Sequence, residues 1–567
     1  MSHKIDDHPK VNVVLCWHMH QPQYQDQFTH NVRLPWTYLH AIKDYADMAA
    51  VVDQVPQSRV VVNFTPVLLD QIDDYIQQFD RYFNQGEPFN DRLLATLAMA
   101  TIGPTESLRL FIARQCIRAN EKRLIERFPP FRDLVQLARQ ALHKPGYLNY
   151  LDEQFFFDLL VWYHLVWMGE TVRMENETIQ RLIRKARGFT SKDRRELLGV
   201  IDTLIRSVVP RYRHLAESGQ MEISVTPDKH PILPLMLDFK STLEAMPDAL
   251  LPQRDGYPDG RERAIRHLRK GIDTFVQHFG FKPVGCWPSE GALSEATLEL
   301  LAEIPFQWTA SGGGVLGNSK HANKLENLCI HHGFRLRENS VTCFFRDDNL
   351  SDLIGFTYSG WNEHDAVNNL IHHIENIRSA CNYRQDTVVP IILDGENCWE
   401  YYPHNGYHFL KQLYSRLVEH PKIQLTTFRD YLKYHNDSTR LPSLVAGSWV
   451  YGTFSTWIGD PAKNRAWDLL CKAKDDFDRV MASGRLAPEI AQRAEEQLAI
   501  CEGSDWFWWF GDYNPAESVA DFDQLYRAHL RNLYRFLDEP APPELEHVIS
   551  RGGGAQENDG VMRRGQG

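Results

Sequence analysis

Two carboxylic acids follow apolar, strand-like runs at separate places in the chain. Glu290 lies in "GCWPSEGALS", just after the run at 283–287, and Asp394 directly follows the run "VVPIIL" at 388–393. Paired carboxylates can cleave a glycosidic bond, because one attacks or stabilises the sugar carbon while the other protonates the leaving oxygen. An acid at the edge of an apolar strand loses solvation, so its pKa should rise toward the range of a general acid. A single acid at a strand end is more often a helix cap or a salt-bridge partner, so the hypothesis depends on the pair.

Two histidines raise a competing interpretation. His18 and His20 in "WHMHQPQY" are spaced i, i+2, so on a strand they point the same way, and Asp394 could be a third metal ligand. The Gln-Pro pair that follows supplies amide and turn chemistry better suited to hydrogen-bonding hydroxyl groups, and no further histidine motif accompanies it. The sequence therefore favours sugar binding over a metal site, and we expect neither a metal nor another cofactor in the chemistry.

Short apolar runs alternate with longer helical segments, which is typical of an α/β fold with a mainly parallel sheet. Several of the runs end on polar residues, and the carboxyl ends of parallel strands meet on one face, where catalytic residues lie. We therefore expect the polar strand ends to form one site. The predicted strands are 11–17, 59–64, 221–225, 283–287, 305–310, 341–345, 352–358 and 388–393.

The chain divides into regions of different pattern. The interval from about 85 to 217 has helical periodicity and no strand signal, which predicts a helical insertion in a first domain at 1–435. The region 436–537 begins with "GSWVYGTFSTWIGDP", read as a loop or hairpin, and continues as three helices. The Pro-rich and then Gly-rich segment 538–567 is predicted to be a flexible tail.

Composition excludes several classes of partner. The 62 Lys and Arg against 74 Asp and Glu give a net charge of −12, and no basic run is interleaved with aromatic residues, which argues against nucleic acid. The most apolar helical stretch, 155–169, is interrupted by Asp158 and His164 and is too short to span a membrane. Nine cysteines without a CxxC pair, and an N-terminus without a signal-peptide pattern, predict a cytoplasmic protein. The oligomeric state is left open.

Five segments carry a resemblance to a known family. In order and approximate spacing they resemble the five signature regions of glycoside hydrolase family 57, which includes α-amylases, amylopullulanases, 4-α-glucanotransferases and branching enzymes. Connecting stretches such as "HPILPLM" and "FFRDDNLSDLIGFTYSGW" look most like amylopullulanase-type members. The five segments are "HMHQP" (18–22), "GQMEISVTP" (219–227), "CWPSEGALS" (286–294), "ILDGENCWEYYPHNG" (392–406) and "EGSDWFWWFGD" (502–512).

The resemblance implies an incomplete (β/α)7 barrel followed by a C-terminal helical bundle that closes over the site, and retention of anomeric configuration. It assigns the nucleophile to Glu290 and the acid/base to Asp394. Pro288 and Ser289 depart from the residues that many members have before the glutamate, so subsite geometry does not transfer. The residues expected to contact substrate are His18, His20, Gln21, Glu222, Trp287, Glu396, Asp505 and Trp508.

The predicted function is that of a retaining glycoside hydrolase acting on α-1,4 bonds, with α-1,6 bonds as a further target, in starch-like or glycogen-like glucans. A 4-α-glucanotransferase or a branching enzyme of the same family is the first alternative, because water and a glucan hydroxyl can both take the sugar from the enzyme. A zinc-dependent hydrolase or deacetylase and a non-catalytic glucan-binding protein are the alternatives from other classes.

Overall fold

The computed structural model describes residues 8–554. Its strands form one sheet whose members are mostly short, and only the first and the eighth exceed five residues. The strands are β1 (Val11–Met19), β2 (Val60–Phe64), β3 (Met221–Val225), β4 (Gly285–Cys286), β5 (Trp308–Ser311), β6 (Phe334–Leu336), β7 (Thr342–Phe345), β8 (Val388–Asp394), β9 (Ile423–Thr426) and β10 (Thr439–Leu441).

The strand order is β10-β6-β7-β5-β4-β3-β2-β1-β8, with β9 also paired to β1. All pairs are parallel except β6 with β7. The sheet curls, because Arg346 and Asp347 after β7 reach across to β8: Arg346 Nε donates to Ile392 O at 2.7 Å, and Asp347 N donates to Pro390 O at 2.8 Å. Seven parallel strands thus form an incomplete barrel, which is open between β7 and β8. This confirms the predicted fold class.

β1 is buried along its whole length. Strands of a parallel sheet are covered on both faces, so their sequences are continuously apolar, as "VNVVLCW" is. The polar residue His18 near the end of this run therefore needs partners of its own, which the site supplies.

Helices cover the barrel and fill the connection between β2 and β3. Those up to β3 are α1 (Trp36–His40), α2 (Ala46–Asp53), α3 (Pro66–Gln85), α4 (Arg92–Ala98), α5 (Glu106–Gln115), α6 (Pro129–His143), α7 (Glu153–Val166), α8 (Glu170–Glu175), α9 (Glu177–Lys185) and α10 (Ser191–Glu217). Those from β3 to β10 are α11 (Leu233–Leu237), α12 (Thr242–Ala245), α13 (Gly260–Phe279), α14 (Glu295–Ala302), α15 (Gly313–Ala322), α16 (Asp348–Asp352), α17 (Glu363–Ala380), α18 (Tyr407–Glu419) and α19 (Phe428–Tyr434). No helix in the described part of the chain is long and apolar enough to cross a membrane.

The C-terminal region contains α20 (Pro461–Ala482), α21 (Pro488–Cys501), α22 (Asp505–Trp509) and α23 (Ala516–Phe536). The first part of the segment expected to be a flexible tail is packed: Leu545 and Ile549 are buried, and Asp523 on α23 accepts from the backbone N–H of Ile549 at 2.7 Å. The remainder of that segment, 555–567, lies outside the described residues. The domain boundaries at 435 and 537 stay a prediction.

One predicted strand is wrong. The run 352–358 is helical, because Asp347 caps α16 by accepting from Leu350 N at 2.9 Å and the chain continues in a helical turn at Leu353–Thr357. Leu350, Ile354 and Tyr358 are buried at a spacing of four residues, which is the period of a helix and not of a strand. The other seven runs contain strands, whereas the short β6, β9 and β10 were not predicted.

Candidate active site

The carboxyl ends of the strands and the helix α22 surround a cavity of about 430 Å³. Eight of the ten residues predicted from the sequence line it. They are His18, His20 and Gln21 at the end of β1, Glu290 after β4, Asp394 and Glu396 at the end of β8, and Asp505 and Trp508 on α22.

Glu290 is held in an unusual backbone conformation. It lies in a single turn at Ser289–Gly291 with φ 58° and ψ 22°, in the left-handed region that a glutamate rarely adopts. Trp449 fixes it at two points: its backbone N–H donates to Glu290 O at 3.1 Å, and its indole Nε1 donates to Glu290 Oε2 at 2.9 Å. Strain of this kind persists only where the surroundings enforce it, and it clusters at functional sites.

Asp394 is the last residue of β8 and lies in register beside His18 on β1. Loss of solvation raises its pKa to about 6, against the opposing effects of a hydrogen bond from Asn397 and of the nearby charges of His20 and Arg346. The Asn397 Nδ2 atom donates to Asp394 Oδ2 at 2.9 Å. A carboxyl group with this pKa carries a proton far more readily than a solvated one, as a general acid requires.

Three histidine rings stack at the site: His18 and His20 line the cavity, and the fully buried His230 packs against both. The ring centroids of His20 and His230 are 3.8 Å apart, and those of His18 and His230 are 5.3 Å apart. Burial lowers the pKa of His18 to about 3 and that of His230 well below its ordinary value. Both rings are therefore neutral near pH 7.

Hydrogen bonds orient two of these rings. His18 Nδ1 donates to the Asn63 amide oxygen at 2.7 Å, and His20 Nε2 lies 2.7 Å from Asp505 Oδ1. The second contact joins the barrel to α22, so the C-terminal region completes the site. Because the amide oxygen only accepts, His18 presents an unprotonated Nε2 on its other side.

The predicted ligand set of His18, His20 and Asp394 is not among the groups of potential ligands that the described residues bring together. The structure gathers a different set at the cavity, His20, His230 and Asp505, whose ligand atoms lie within 4.8 Å of one another. The stacking of the first two opposes a metal ion: their planes are only 19° apart, so their in-plane lone pairs run nearly parallel in separate layers. Two such nitrogens cannot both aim at one ion at the usual zinc distance of about 2.0 Å.

Glu396 lines the cavity while most of its surface is buried. Its Oε1 accepts from His20 N at 3.0 Å, from Gln21 Nε2 at 3.2 Å and from Tyr45 OH at 3.0 Å. Its Oε2 is buried without a hydrogen-bond partner in the described structure. Burial and the charge of Asp394 raise the pKa of Glu396 well above its ordinary value, which favours the protonated acid. Through the bonds to His20 N and Gln21, the group holds the end of β1 in place.

Two predicted residues do not line the cavity. Glu222 is the second residue of β3, near the opposite end of the barrel, and it accepts from Trp308 Nε1 at 2.7 Å and from Arg429 N at 2.9 Å. Trp287 is fully buried beneath the site, edge-on to Trp449 with ring centroids 5.1 Å apart. Glu222 therefore links β3 to β5 and to the start of α19, and Trp287 packs against the Trp449 ring.

His230 and Trp449 were not predicted as site residues. His230 lies in "HPILPLM" and Trp449 in "GSWVYGTFSTWIGDP", two connecting segments in which the sequence predicted no site residue. The signal that could have identified His230 is its backbone: it follows Lys229, and both have positive φ, at 61° and 56°. Such a strained pair indicates a functional constraint, but only coordinates reveal it.

Aromatic rings form much of the remaining wall. Trp508 and Trp509 line the cavity together with Trp36 and Trp167, whereas the neighbouring Trp506 is buried against α23. Flat rings of this kind suit stacking against sugars. Two carboxylates at the carboxyl ends of barrel strands, beside such a wall, are the arrangement of a glycoside hydrolase.

The chain belongs to glycosyl hydrolase family 57, because residues 14–443 match the model of that family. Among solved structures, the fold is similar to a branching enzyme from Thermococcus kodakaraensis, with a TM-score of 0.59 and 13% identity over 93% of this chain and 90% of the other. It is also similar to the α-amylase AmyC from Thermotoga maritima, with a TM-score of 0.56 and 11% identity over 93% of each chain. A 4-α-glucanotransferase from Thermococcus litoralis has a TM-score of 0.52 and 13% identity, covering 93% of this chain and 60% of that one. No curated protein matches the chain at a significant level.

Proposed function

We propose that this protein is a retaining enzyme that cleaves α-glucosidic bonds of starch-like or glycogen-like glucans, with Glu290 as nucleophile and Asp394 as acid/base. The observation that carries the proposal is the contrast between the two acids. Glu290 receives a hydrogen bond from an indole N–H, which favours the carboxylate, whereas desolvation raises the pKa of Asp394 to about 6, which favours the acid. Family membership and the glucan-active neighbours support the substrate class.

The reaction proceeds in two displacements. The Glu290 carboxylate attacks the anomeric carbon while Asp394 gives its proton to the departing glucan oxygen, leaving a glycosyl ester on Glu290. Asp394 is then a carboxylate and takes a proton from the incoming water or hydroxyl, which attacks the same carbon and restores its configuration. The unprotonated Nε2 of His18, a residue that lines the cavity, suits accepting a hydrogen bond from a sugar hydroxyl.

Azide rescue separates the two roles. With α-maltosyl fluoride as substrate, Glu290→Ala plus azide should give the β-glycosyl azide, because azide attacks from the side on which the nucleophile stood. Asp394→Ala plus azide should give the α-glycosyl azide, because azide attacks the ester that Glu290 still forms. The same anomer from both variants would contradict the assignment. The first product of the unmodified enzyme should be the α-anomer by NMR.

We propose hydrolysis as the main fate of the ester, on α-1,4 and also α-1,6 bonds, in keeping with the sequence likeness to amylopullulanase-type members. Transfer to a glucan 4- or 6-hydroxyl is the alternative, and two of the structural neighbours are named for such transfer. Incubation with maltoheptaose, amylose and pullulan distinguishes them. A steady rise in reducing ends supports hydrolysis, whereas longer or newly branched products at constant reducing ends show a transferase.

A zinc-dependent hydrolase is the second candidate, since His20, His230 and Asp505 lie close together at the cavity. The stacked rings oppose it, and we propose chemistry without a metal. Activity on glucans should survive exhaustive chelation, whereas a loss that only zinc reverses would establish the metal enzyme. A non-catalytic glucan-binding protein would bind glycogen in an affinity gel without changing chain length or branching.

The state of the cysteines supports a proposal for the compartment. All nine cysteines are unpaired in the described structure, and eight of them are buried, in line with a reducing environment. We therefore propose that the protein acts in the cytoplasm on storage glucan, without nucleic-acid or membrane partners.

A further inference from the structure

A second cluster of reactive side chains lies at the open seam of the barrel, away from the cavity. The loop that precedes β6 passes the start of β8, where Val388 N donates to His331 O at 3.0 Å. Cys381, which directly follows α17, lies against Cys329 of this loop, and their sulfur atoms are 3.1 Å apart although the residues are 52 positions apart in sequence. Neither cysteine lines the catalytic cavity.

A histidine of the same loop faces the two sulfur atoms. His331 Nδ1 lies 3.9 Å from Cys329 Sγ, and its Nε2 lies 2.9 Å from Asp347 Oδ2. A carboxylate bound to the far nitrogen of an imidazole is the usual arrangement behind a metal-binding histidine, because it fixes the ring and directs the near nitrogen at the ion. The ligand atoms of Cys329, His331 and Cys381 all lie within 4.8 Å of one another.

The next residue, His332, is the candidate for a fourth ligand. His332 is only 4% exposed, and its Nδ1 has no hydrogen-bond partner among the described residues. The nearest ion-pair partner, Asp386 Oδ2, is 3.9 Å away, beyond hydrogen-bond distance. An unsatisfied buried imidazole nitrogen is costly, and His332 directly follows His331 in the chain.

We propose that this cluster binds one zinc ion. Cys329, His331 and Cys381 are its ligands, and His332 fills the fourth position. Two thiolates with imidazole nitrogens select zinc over magnesium or calcium, which prefer oxygen ligands, and four protein ligands make a closed, structural site. The sequence "CIHH" supplies three of them within four residues.

The cluster is not sealed from solvent. Cys329 and His331 both keep part of their surface exposed, which leaves an entry path for an ion.

The ion would close the seam. It would join the loop before β6 to the end of α17. Through His331 it would also be linked to Asp347, which bonds to Pro390 of β8 and caps α16. β8 ends at Asp394, so the site supports the strand that carries the proposed acid/base without touching substrate. Its loss should affect stability more than turnover.

Metal analysis of the full-length protein, purified under reducing conditions and incubated with zinc before desalting, tests the proposal. We expect about one zinc per chain in the unmodified protein, and none in Cys329→Ser or Cys381→Ser. Cys343→Ser is the matched control, because Cys343 is a buried cysteine on the adjacent β7 and should leave zinc binding unchanged. Zinc absent from the unmodified protein, or equal in all variants, overturns the proposal.

Two further measurements use the unmodified chain, so a variant that fails to fold cannot obscure the result. Cobalt in place of zinc should give thiolate-to-metal charge-transfer bands and tetrahedral d–d bands, and a mercurial reagent should release zinc as it titrates the thiols. Removal of zinc should lower Tm by at least about 2 °C while glucan activity at 25 °C changes less than about twofold. A Cys329–Cys381 disulfide found by peptide mapping of the reduced-purified protein would overturn the zinc site.

Discussion

The indole of Trp449 donates to the Glu290 carboxylate at 2.9 Å, while the backbone N–H of the same residue donates to the Glu290 carbonyl oxygen at 3.1 Å. One residue of a loop from outside the barrel strands thus holds both the side chain and the left-handed backbone of the proposed nucleophile. The loop after β10 is therefore part of the proposed active site and not only a connection to the C-terminal helices.

Trp449→Phe should lower kcat about 10-fold to 100-fold, because the attacking carboxylate loses the indole bond that fixes its orientation, while an aromatic ring remains against Trp287. Initial rates of maltoheptaose cleavage measure the effect. Trp361→Phe, at a half-exposed position outside the site, is the control and should leave kcat unchanged. Equal activity in both variants would show that the indole bond does not serve the chemistry.

The pH profile should report the acid on β8. Asp394 must be protonated in the first step and its pKa is about 6, so kcat/KM should fall above about pH 6. Asn397→Ala removes a hydrogen bond that lowers this pKa, and the alkaline limb should then move up by roughly half a unit to one unit. Asn436→Ala, at an exposed position, should leave the limb in place. A downward shift in Asn397→Ala would assign the limb to another group.

The sequence could predict a mainly parallel sheet and two acids at strand ends because both depend on local pattern, whereas the barrel was implied by the family resemblance. A strand buried on both faces is continuously apolar, and an acid that ends such a run emerges where strand ends meet; β1, β8 and Asp394 follow this rule. Glu222 shows its limit, since this residue begins a strand and so faces the opposite end of the barrel, towards Arg429 at the start of α19. The position of Glu222 within a signature segment did not show at which end of the barrel its side chain lies.

The remaining misses depend on contacts distant in sequence. His230 becomes a site residue by stacking on His20, and Trp449 by returning to Glu290 from a later loop, and neither contact leaves a local pattern. The wrong strand at 352–358 has a different cause. Its apolar residues suit either a strand or a buried helix, and the N-cap formed by Asp347 favours the helix.

Asp394→Asn should abolish activity but stabilise the protein above pH 6. The folded pKa of about 6 exceeds the ordinary value of 3.8, so the folded state holds the proton more tightly and stability is lost as pH rises from about 4 to 6. The cost above pH 6 is at most about 3 kcal/mol, and asparagine avoids it. Tm of the variant should exceed that of the unmodified protein by a few degrees at pH 8 and match it at pH 4. Asp437→Asn, at an exposed position, should show no such difference.

Glu396 should tolerate replacement by glutamine but not by alanine. The raised pKa favours the neutral acid, and a glutamine amide has the same shape and charge as that acid and keeps an acceptor oxygen for the bonds from His20 N, Gln21 and Tyr45. Glu396→Gln should therefore keep kcat within about threefold, whereas Glu396→Ala leaves three donors unsatisfied, at about 1–3 kcal/mol each, and should lower both Tm and kcat. Kinetics and thermal unfolding of the two variants side by side measure this. If glutamine is as damaging as alanine, Glu396 acts as a carboxylate, and the negative charge beside Asp394 is itself part of the mechanism.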